Sequence, residues 1–248
     1  MKAVIFAAGL GKRLYPYTKD KPKALVEVKG VAMLGHVLRK MQMSGIVDVV
    51  VNVHAFAGKV EQYLQDFSAA HPEMRIRVSD ERDLLLETGG GLKKMQPLLA
   101  DDSFIVHNVD VLSSIDLKAL QKADGTFCQN NPMLLATLAV RKIQSDRYFL
   151  FNEKGLLCGW ENVKTGEQKI SRPEEKNLQR FGFTGIHLIH PALFPLMTEE
   201  GVFSITDVYL RLARIYEIRM FDVSDADWFD IGSPEQLSIA ERNWKSSF

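Results

Sequence analysis

Cysteine is scarce: Cys128 and Cys158 are the only two in 248 residues. That is too few for a disulfide framework and leaves no four-ligand spacing for structural zinc, so the expected compartment is a reducing cytoplasm. An excess of charge of either sign is also missing, since 31 Lys plus Arg meet 31 Asp plus Glu. This excludes the broad electrostatic footprint of a nucleic-acid or anionic-membrane binder, so any anion site has to be local. No apolar run approaches the roughly 20 residues of a membrane-spanning helix. The run from Ala3 to Ala8 opens at once into glycines and bases, which rules out the h-region of a signal peptide. Internal repeats and low-complexity segments are absent too, and 17 Gly with 9 Pro are too few for a collagenous or disordered chain. What remains, at 46% hydrophobic residues, is a soluble globular chain long enough to bury a full core.

The first half alternates short apolar runs with amphipathic patterns, which predicts βα units around a parallel sheet. The runs are Ala3 to Ala8, Val47 to Val53, Arg75 to Ser79 and Phe104 to His107. Between them Leu34, Val37, Leu38 and Met41 share one helical face, as do Val60, Tyr63, Leu64 and Phe67. Gly45 stands where a helix C-terminus favours it. After about residue 133 the pattern becomes more antiparallel, with strands expected over Met133 to Val140, Tyr148 to Phe151, Leu156 to Trp160 and Phe183 to Ile189. The polar stretch Lys164 to Gln179 reads as a loop. Two helices close the chain, one over Ser204 to Ile215 and one from Ser233, where Ser233, Pro234 and Gln236 supply an N-cap, a first-turn proline and a capping-box partner. The fold class is therefore α/β, a Rossmann-like mixed, mainly parallel central sheet flanked by helices. We expect one domain over 1–248 in two lobes, one of about 1–112 with 217–248 and the other of about 113–216.

The strongest chemical signal is Ala7-Ala8-Gly9-Leu10-Gly11-Lys12-Arg13-Leu14-Tyr15-Pro16-Tyr17-Thr18, followed by Lys21-Pro22-Lys23. A glycine-rich loop straight after the first strand lets backbone N–H groups approach a phosphate chain closely. From residue 12 to 23 five basic side chains face a single acid, a concentration of charge suited to a polyphosphate. A dinucleotide fingerprint and a Walker loop both need glycine where Leu14 stands, so this is another kind of nucleotide loop. A second cluster, Glu87-Thr88-Gly89-Gly90-Gly91, would allow the backbone to lie against a flat base or would serve as a flexible start to a helix. Asp110 and Asp230 follow apolar strands, and two carboxylates at strand ends suit Mg²⁺, which wants one or two of them plus phosphate oxygens and water. His54, His36 and the scattered methionines show no metal spacing and read as packing.

The first loop resembles the signature of the nucleoside-diphosphate-sugar pyrophosphorylases, the sugar-1-phosphate nucleotidyltransferases, with Lys12 where threonine is usual. His107-Asn108-Val109-Asp110 and Trp228-Phe229-Asp230-Ile231-Gly232 resemble the family's two metal-binding segments, with Val109 in place of glycine. The resemblance runs from residue 1 to about 240 and leaves no residues for the β-helix or acyltransferase extension of larger relatives. Among short members the chain looks most like the N-acetylmuramate-1-phosphate uridylyltransferases and the mannose-1-phosphate guanylyltransferases.

The resemblance implies an enzyme that takes a nucleoside triphosphate and a sugar 1-phosphate as substrates and Mg²⁺ as cofactor, with no nucleic-acid or membrane partner. It implies Arg13, Lys23 and Asp110 as catalytic residues and Asp110 with Asp230 as metal ligands. Nucleotide binding falls to Ala8, Gly9, Gly11, Lys12, Arg13, Thr88, Gly89, Gly90 and Asn108. Sugar-phosphate binding falls to Gly185, Lys176 and Tyr148, with Phe149, where glycine is frequent, implying a differently shaped sugar pocket. Thr206-Asp207 also matches the family, though Ser204 and Asp207 fit helix capping equally. Two rivals remain open: a nucleotide-sugar-dependent glycosyltransferase, which has no use for a pyrophosphate clamp, and a regulatory protein that binds nucleotide without turning it over.

Overall fold

The apolar run behind the first glycine loop, β1 (Lys2–Phe6), pairs in parallel with β4 (Asp48–Val53), and β4 in turn with β5 (Arg75–Asp80). β1 and β4 are buried on both faces, as a helix-flanked parallel sheet requires, while the edge strand β5 buries only Ser79. The structure is a computed structural model and describes residues 1–99, 102–131 and 133–245. Between β1 and β4 lie the short hairpin of β2 (Glu27–Val28) with β3 (Val31–Ala32) and the helix α1 (Met33–Met43). α2 (Ala57–Ala70) joins β4 to β5, and α3 (Glu87–Leu99) precedes β6 (Phe104–Asn108) and β7 (Val111–Ser113). Next come α4 (Leu117–Asn130), β8 (Leu134–Arg141), β9 (Arg147–Phe151), β10 (Leu157–Asn162), β11 (Glu167–Ile170) and β12 (Gln179–Ile189). The chain continues through α5 (Ile205–Leu212), β13 (Glu217–Asp222), β14 (Trp228–Asp230) and α6 (Pro234–Asn243).

The chain divides into two compact units. The first holds Met1–Leu85, Val106–Ser114 and the segment from Asp227 onward, and the second holds Leu86–Ile105 and Ile115–Ala226. In the first unit the strand order β6-β1-β4-β5 puts the loop after β1 at the carboxyl edge of the sheet, where ligands bind in open α/β folds. The predicted stripe of α1 is buried throughout at Leu34, Val37, Leu38 and Met41. A second cluster of Leu14, Val26, Val28, Met33, Leu112, Ile231, Leu237 and Trp244 packs the glycine loop onto α6 and the β7–β14 pair. In the second unit β12, β9, β10 and β11 pair antiparallel in that order, and β8 lies antiparallel to β12 and parallel to β13.

Helix ends follow the predicted chemistry. Gly45 (φ 78°) stops α1, Ser204 Oγ accepts from Thr206 N at 3.2 Å, and Ser233 Oγ accepts from Gln236 N at 3.3 Å with Pro234 in the first turn. Two expectations fail. The polar stretch read as a loop contains β11, whose four residues are all exposed, so it carries no alternation for a pattern reading to detect. The glycine cluster at 89–91, read as a surface for a flat base or a flexible start to a helix, lies inside α3, which begins at Glu87. Among the described residues no helix is long and apolar enough to cross a membrane.

Candidate active site

The loop after β1 is shaped by one glycine and one leucine. Gly11 adopts a left-handed conformation (φ 63°), and a Cβ there would lie 2.9 Å from Thr18 Cγ2 and 3.0 Å from Lys23 Cβ, so both backbone and space require glycine. Thr18 Oγ1 donates to Gly11 O at 3.0 Å, and Leu14 N donates to the same carbonyl at 2.9 Å, closing a 3₁₀ turn over Lys12–Leu14. Leu14 is fully buried, an anchor worth about 2 kcal/mol, while Lys12 and Arg13 beside it stay exposed. Gly9 is exposed and Ala8 buried.

A buried polar pair holds the root of this loop. Asn52, at the end of β4, accepts through Oδ1 from Ala7 N at 2.6 Å and from Ala8 N at 3.2 Å. Its Nδ2 donates to Glu81 Oε1 at 2.8 Å, and Glu81 is 1% exposed. The carboxylate can only accept, so it fixes which way the Asn52 amide faces. The sequence reading missed both residues, because nothing local marks two polar side chains that meet across 29 positions.

Four charged side chains converge in the first unit. Lys23 opens a 3₁₀ turn behind Pro22, is 7% exposed, and donates from Nζ to Asp110 Oδ2. Asp110 sits in the turn between β6 and β7, held on both sides by backbone: Val109 N donates to Phe6 O at 3.1 Å, and Ile231 N donates to Asp110 O at 2.8 Å. β14 pairs antiparallel with β7, placing Asp230 opposite Val111. Burial pushes the Asp230 carboxyl above its ordinary range, and the Asp110 carboxylate pushes it further the same way. Lys23 and Arg13 oppose both effects. The Arg13 guanidinium lies against the Gly232 backbone, with Nη2 3.0 Å from where a Cβ would stand. Val109 is buried, and its φ is not among the positive ones, so valine fits where glycine was expected. Asn108 is half-buried at the end of β6.

Two carboxylates whose charges oppose one another are a hard oxygen donor set, which a divalent cation would relieve. Among the described residues no group of three His, Cys, Asp or Glu could hold a metal. The set therefore fits a cation that takes its other ligands from phosphate and water, as Mg²⁺ does.

The remaining predicted residues belong to the second unit. Thr88, Gly89 and Gly90 form the first turn of α3, where Gly89 N and Gly90 N both donate to Phe203 O, at 2.9 and 3.2 Å. Thr88 Oγ1 accepts from Ile205 N at 3.0 Å. Gly185 (φ 79°) is buried in the irregular stretch of β12 between Phe183 and His187, where Thr184 Oγ1 donates to Ala139 O at 2.8 Å. Tyr148 on β9 accepts through its hydroxyl from Ser145 N at 2.7 Å. Lys176 is exposed. Phe149, expected to reshape a sugar pocket, is instead 3% exposed, with its ring edge-on to Phe151 and Phe183. The side chain before it, Tyr148, points to the opposite face of the strand. Asp207 pairs with Lys169 at 2.9 Å, and its backbone N donates to the capping Ser204 carbonyl at 3.2 Å.

Comparison with known proteins agrees with this chemistry. The family model described as nucleotidyl transferase matches residues 2–247. The N-acetylmuramate alpha-1-phosphate uridylyltransferase of Caulobacter vibrioides is 30% identical over 240 residues, covering 96% of this chain and 95% of that protein. A mannose-1-phosphate guanyltransferase of Neurospora crassa is 27% identical over 96% of this chain and 62% of its own length. Among solved structures, a UDP-glucose pyrophosphorylase from Acinetobacter baumanii superposes with a TM-score of 0.77 over 99% of this chain and 95% of that one; at 17% identity it shows the fold alone. The chain belongs to the nucleotidyl transferase family and is a sugar-1-phosphate nucleotidyltransferase of the EC 2.7.7 type.

Proposed function

We propose that this enzyme joins UTP to N-acetylmuramate 1-phosphate, releasing pyrophosphate, and that its product is an activated sugar for cell-wall or polysaccharide synthesis in the cytoplasm. The observation that carries the reaction is the Lys23–Asp110 ion pair beside Asp230 and Arg13 in the first unit, next to a loop whose glycine is fixed by its surroundings. The choice of substrate rests on the 30% relative that matches nearly end to end. GTP with mannose 1-phosphate is the second reading, on the 27% relative.

In the proposed reaction an oxygen of the sugar phosphate attacks the α-phosphorus of the triphosphate in line. A new P–O bond forms as the bond from the α-phosphorus to the bridging oxygen breaks, and that electron pair leaves on pyrophosphate. The nucleophile is already ionised near neutral pH, so no general base is needed; the protein has to align two polyanions and offset their repulsion. Lys23 carries a fixed positive charge to the reacting phosphate, and Arg13, on the exposed side of the loop, holds the pyrophosphate as it departs. Lys12, Gly9, Gly11 and Ala8 line the triphosphate, Asn108 and the Thr88–Gly90 turn serve the nucleoside, and Tyr148, Lys176 and Gly185 serve the sugar phosphate. Asp110 and Asp230 would hold Mg²⁺, which neutralises phosphate oxygens when bound. Asp110 also keeps the Lys23 ammonium in place, and Asn52 keeps the loop root in place.

The test is pyrophosphate release with Mg²⁺, with UTP, GTP, CTP, dTTP and ATP each run against N-acetylmuramate, mannose, glucose and N-acetylglucosamine 1-phosphates. Turnover is expected to be most efficient with UTP and N-acetylmuramate 1-phosphate, with slower use of N-acetylglucosamine 1-phosphate. Lys23→Ala and Asp110→Asn are each expected to lower it by about 10²-fold to 10³-fold. Near-wild-type turnover in both variants would sink the assignment of roles. A glycosyltransferase would release no pyrophosphate, and a regulatory protein would bind nucleotide in silence.

A further inference from the structure

On the second unit's sheet one cation is prepared for a ligand. Arg180, on β12, donates from Nε to Glu161 Oε1 and from Nη2 to Glu161 Oε2, the latter at 3.2 Å. Glu161, on β10, is itself braced by Gln168 of β11, whose Nε2 donates to Oε2 at 3.0 Å. The carboxylate side chain is 4% exposed, while that of Arg180 is 59% exposed. Cross-strand register puts Tyr148 and Gln168 directly opposite Glu161 on its two sides, so all three share one face of the sheet. The guanidinium centre lies 6.0 Å from the Tyr148 ring centre. Lys169, on the neighbouring β11, belongs to the opposite face by strand alternation and pairs with Asp207.

An ordinary surface ion pair is two mobile side chains in water and is worth little. Here the acid is buried and doubly held, so the guanidinium is fixed by one edge of its fork. Of the five N–H donors of an arginine, Glu161 takes two; the three left, on Nη1 and Nη2, point away from that carboxylate. A planar fork with a free edge matches a carboxylate. β9 and β12 also carry Tyr148 and Gly185, which are assigned to the sugar substrate.

We propose that Arg180, oriented by Glu161, is the specificity-determining contact for a carboxylate carried on the sugar ring, so that the enzyme prefers an acidic sugar 1-phosphate over its neutral counterpart. The proposal rests on the N-acetylmuramate reading, since that sugar bears a lactyl carboxylate and N-acetylglucosamine 1-phosphate is the same ring without it. The reacting phosphates have cations of their own in the first unit, at Lys12, Arg13 and Lys23.

The experiment compares KM and kcat for the two sugar 1-phosphates in wild type, Arg180→Gln and Glu161→Gln, by pyrophosphate release with UTP and Mg²⁺. Arg180→Gln is expected to raise KM for N-acetylmuramate 1-phosphate about 10-fold to 100-fold, as loss of a charged hydrogen-bonded contact does, with KM for N-acetylglucosamine 1-phosphate and for UTP within about twofold. Glu161→Gln, which keeps the cation but loosens its orientation, is expected to give a smaller rise, again confined to the acidic sugar. Should Arg180→Gln unfold the unit by stranding Glu161, the Glu161→Gln variant and the double variant carry the same comparison. Equal KM rises for both sugars would assign Arg180 to the shared 1-phosphate and overturn the proposal, as would no rise in either. A wild type that turns over only neutral sugars overturns the substrate reading as well, whereas wild-type turnover of N-acetylmuramate 1-phosphate with unselective variants overturns this inference alone.

Discussion

The Asp110 carboxylate, paired with Lys23, faces Asp230 closely enough to oppose its ionisation. Burial is the larger cause of the raised Asp230 pKa, and the two effects together make the charged form of this residue a burden on the folded protein. Asp230→Asn is therefore expected to raise the thermal midpoint in metal-free buffer at neutral pH, and to lower pyrophosphate release by about 10²-fold to 10³-fold. Mg²⁺ added to the wild type is expected to raise its midpoint, and to leave that of Asp230→Asn nearly unmoved. Differential scanning calorimetry with and without Mg²⁺ checks this; a variant that melts below wild type in metal-free buffer would refute the account of Asp230.

Asn52 never touches the exposed side of the glycine loop, yet it decides how the peptides of Ala7 and Ala8 are turned. Asn52→Leu removes the acceptor and strands two buried amides, while Asn52→Asp keeps the acceptor and sets a second carboxylate against Glu81. Both variants are expected to raise KM for the nucleoside triphosphate about tenfold or more and to leave KM for the sugar phosphate unchanged. Glu81→Gln, which can still accept from Asn52 Nδ2, is expected to retain most of the affinity. A purely structural role would instead shift both KM values together or neither.

Much of this site is legible in the sequence, because its chemistry is local. A glycine with its basic neighbours, Pro22 before Lys23, and an aspartate at the end of each of two apolar runs sit within short windows, so residue order alone marks them. What the sequence hides is made by register between distant strands. Asn52 meets Ala7 only because β4 lies beside β1, and Arg180 meets Glu161 only because β12, β9 and β10 are neighbours. Residues 89–91 mislead for a different reason. A run of glycines looks like a flexible loop, but here it lies within a helix, and a Cβ at Gly89 or Gly90 would run into Phe203 or the Gly201 carbonyl. Phe149 shows the limit of a resemblance, since it matches a pocket position by order while strand alternation buries its ring among Phe151 and Phe183.

His107 is fully buried one residue before Asn108, and Nδ1 donates to the Asn108 carbonyl at 2.8 Å. Its Nε2 has no hydrogen-bond partner among the described residues, and burial, followed by the charge of Lys40, lowers its pKa to about 3. A histidine with a depressed folded-state pKa stabilises the protein above its unfolded value of 6.5, and that contribution is lost as pH falls from there toward 3. The wild-type thermal midpoint is thus expected to fall steadily below about pH 6.5. His107→Gln, which has no imidazole to protonate in the unfolded chain, is expected to show a shallower fall across the same window. His36, also lowered by burial, contributes in the same direction and keeps the variant's slope above zero. Thermal melts at half-unit pH steps from 7.5 to 4 would decide it, and parallel slopes in the two proteins would exclude His107 as a source of acid sensitivity.

Gly90 is the position where a single methyl group tests the start of α3. Its Cβ would collide with the Gly201 carbonyl and lie 3.1 Å from Leu86 Cβ, and the first obstacle is backbone that no rotamer change can clear. Gly89 is different in kind: its Cβ would run into the Phe203 ring, which can turn, although Phe203 O would remain at 2.9 Å. Apart from its own helix backbone and chain neighbours, Gly125, inside α4, has no atom of the described residues within 4 Å of where its Cβ would go. Gly125→Ala is therefore expected to stabilise the protein by about 0.5–1 kcal/mol through helix propensity alone. Gly90→Ala is expected to cost about 1–3 kcal/mol as overpacking, with Gly89→Ala costing less than Gly90→Ala. Because Gly89 N and Gly90 N share the Phe203 carbonyl, any shift forced at Gly90 also disturbs the turn assigned to the nucleoside, so KM for UTP is expected to rise in Gly90→Ala and to stay unchanged in Gly125→Ala. Urea midpoints and UTP kinetics on the three variants test the packing and the assignment separately: a stable Gly90→Ala would contradict the close approach to Gly201, and a destabilised Gly90→Ala with wild-type UTP kinetics would remove the 88–90 turn from the nucleotide site.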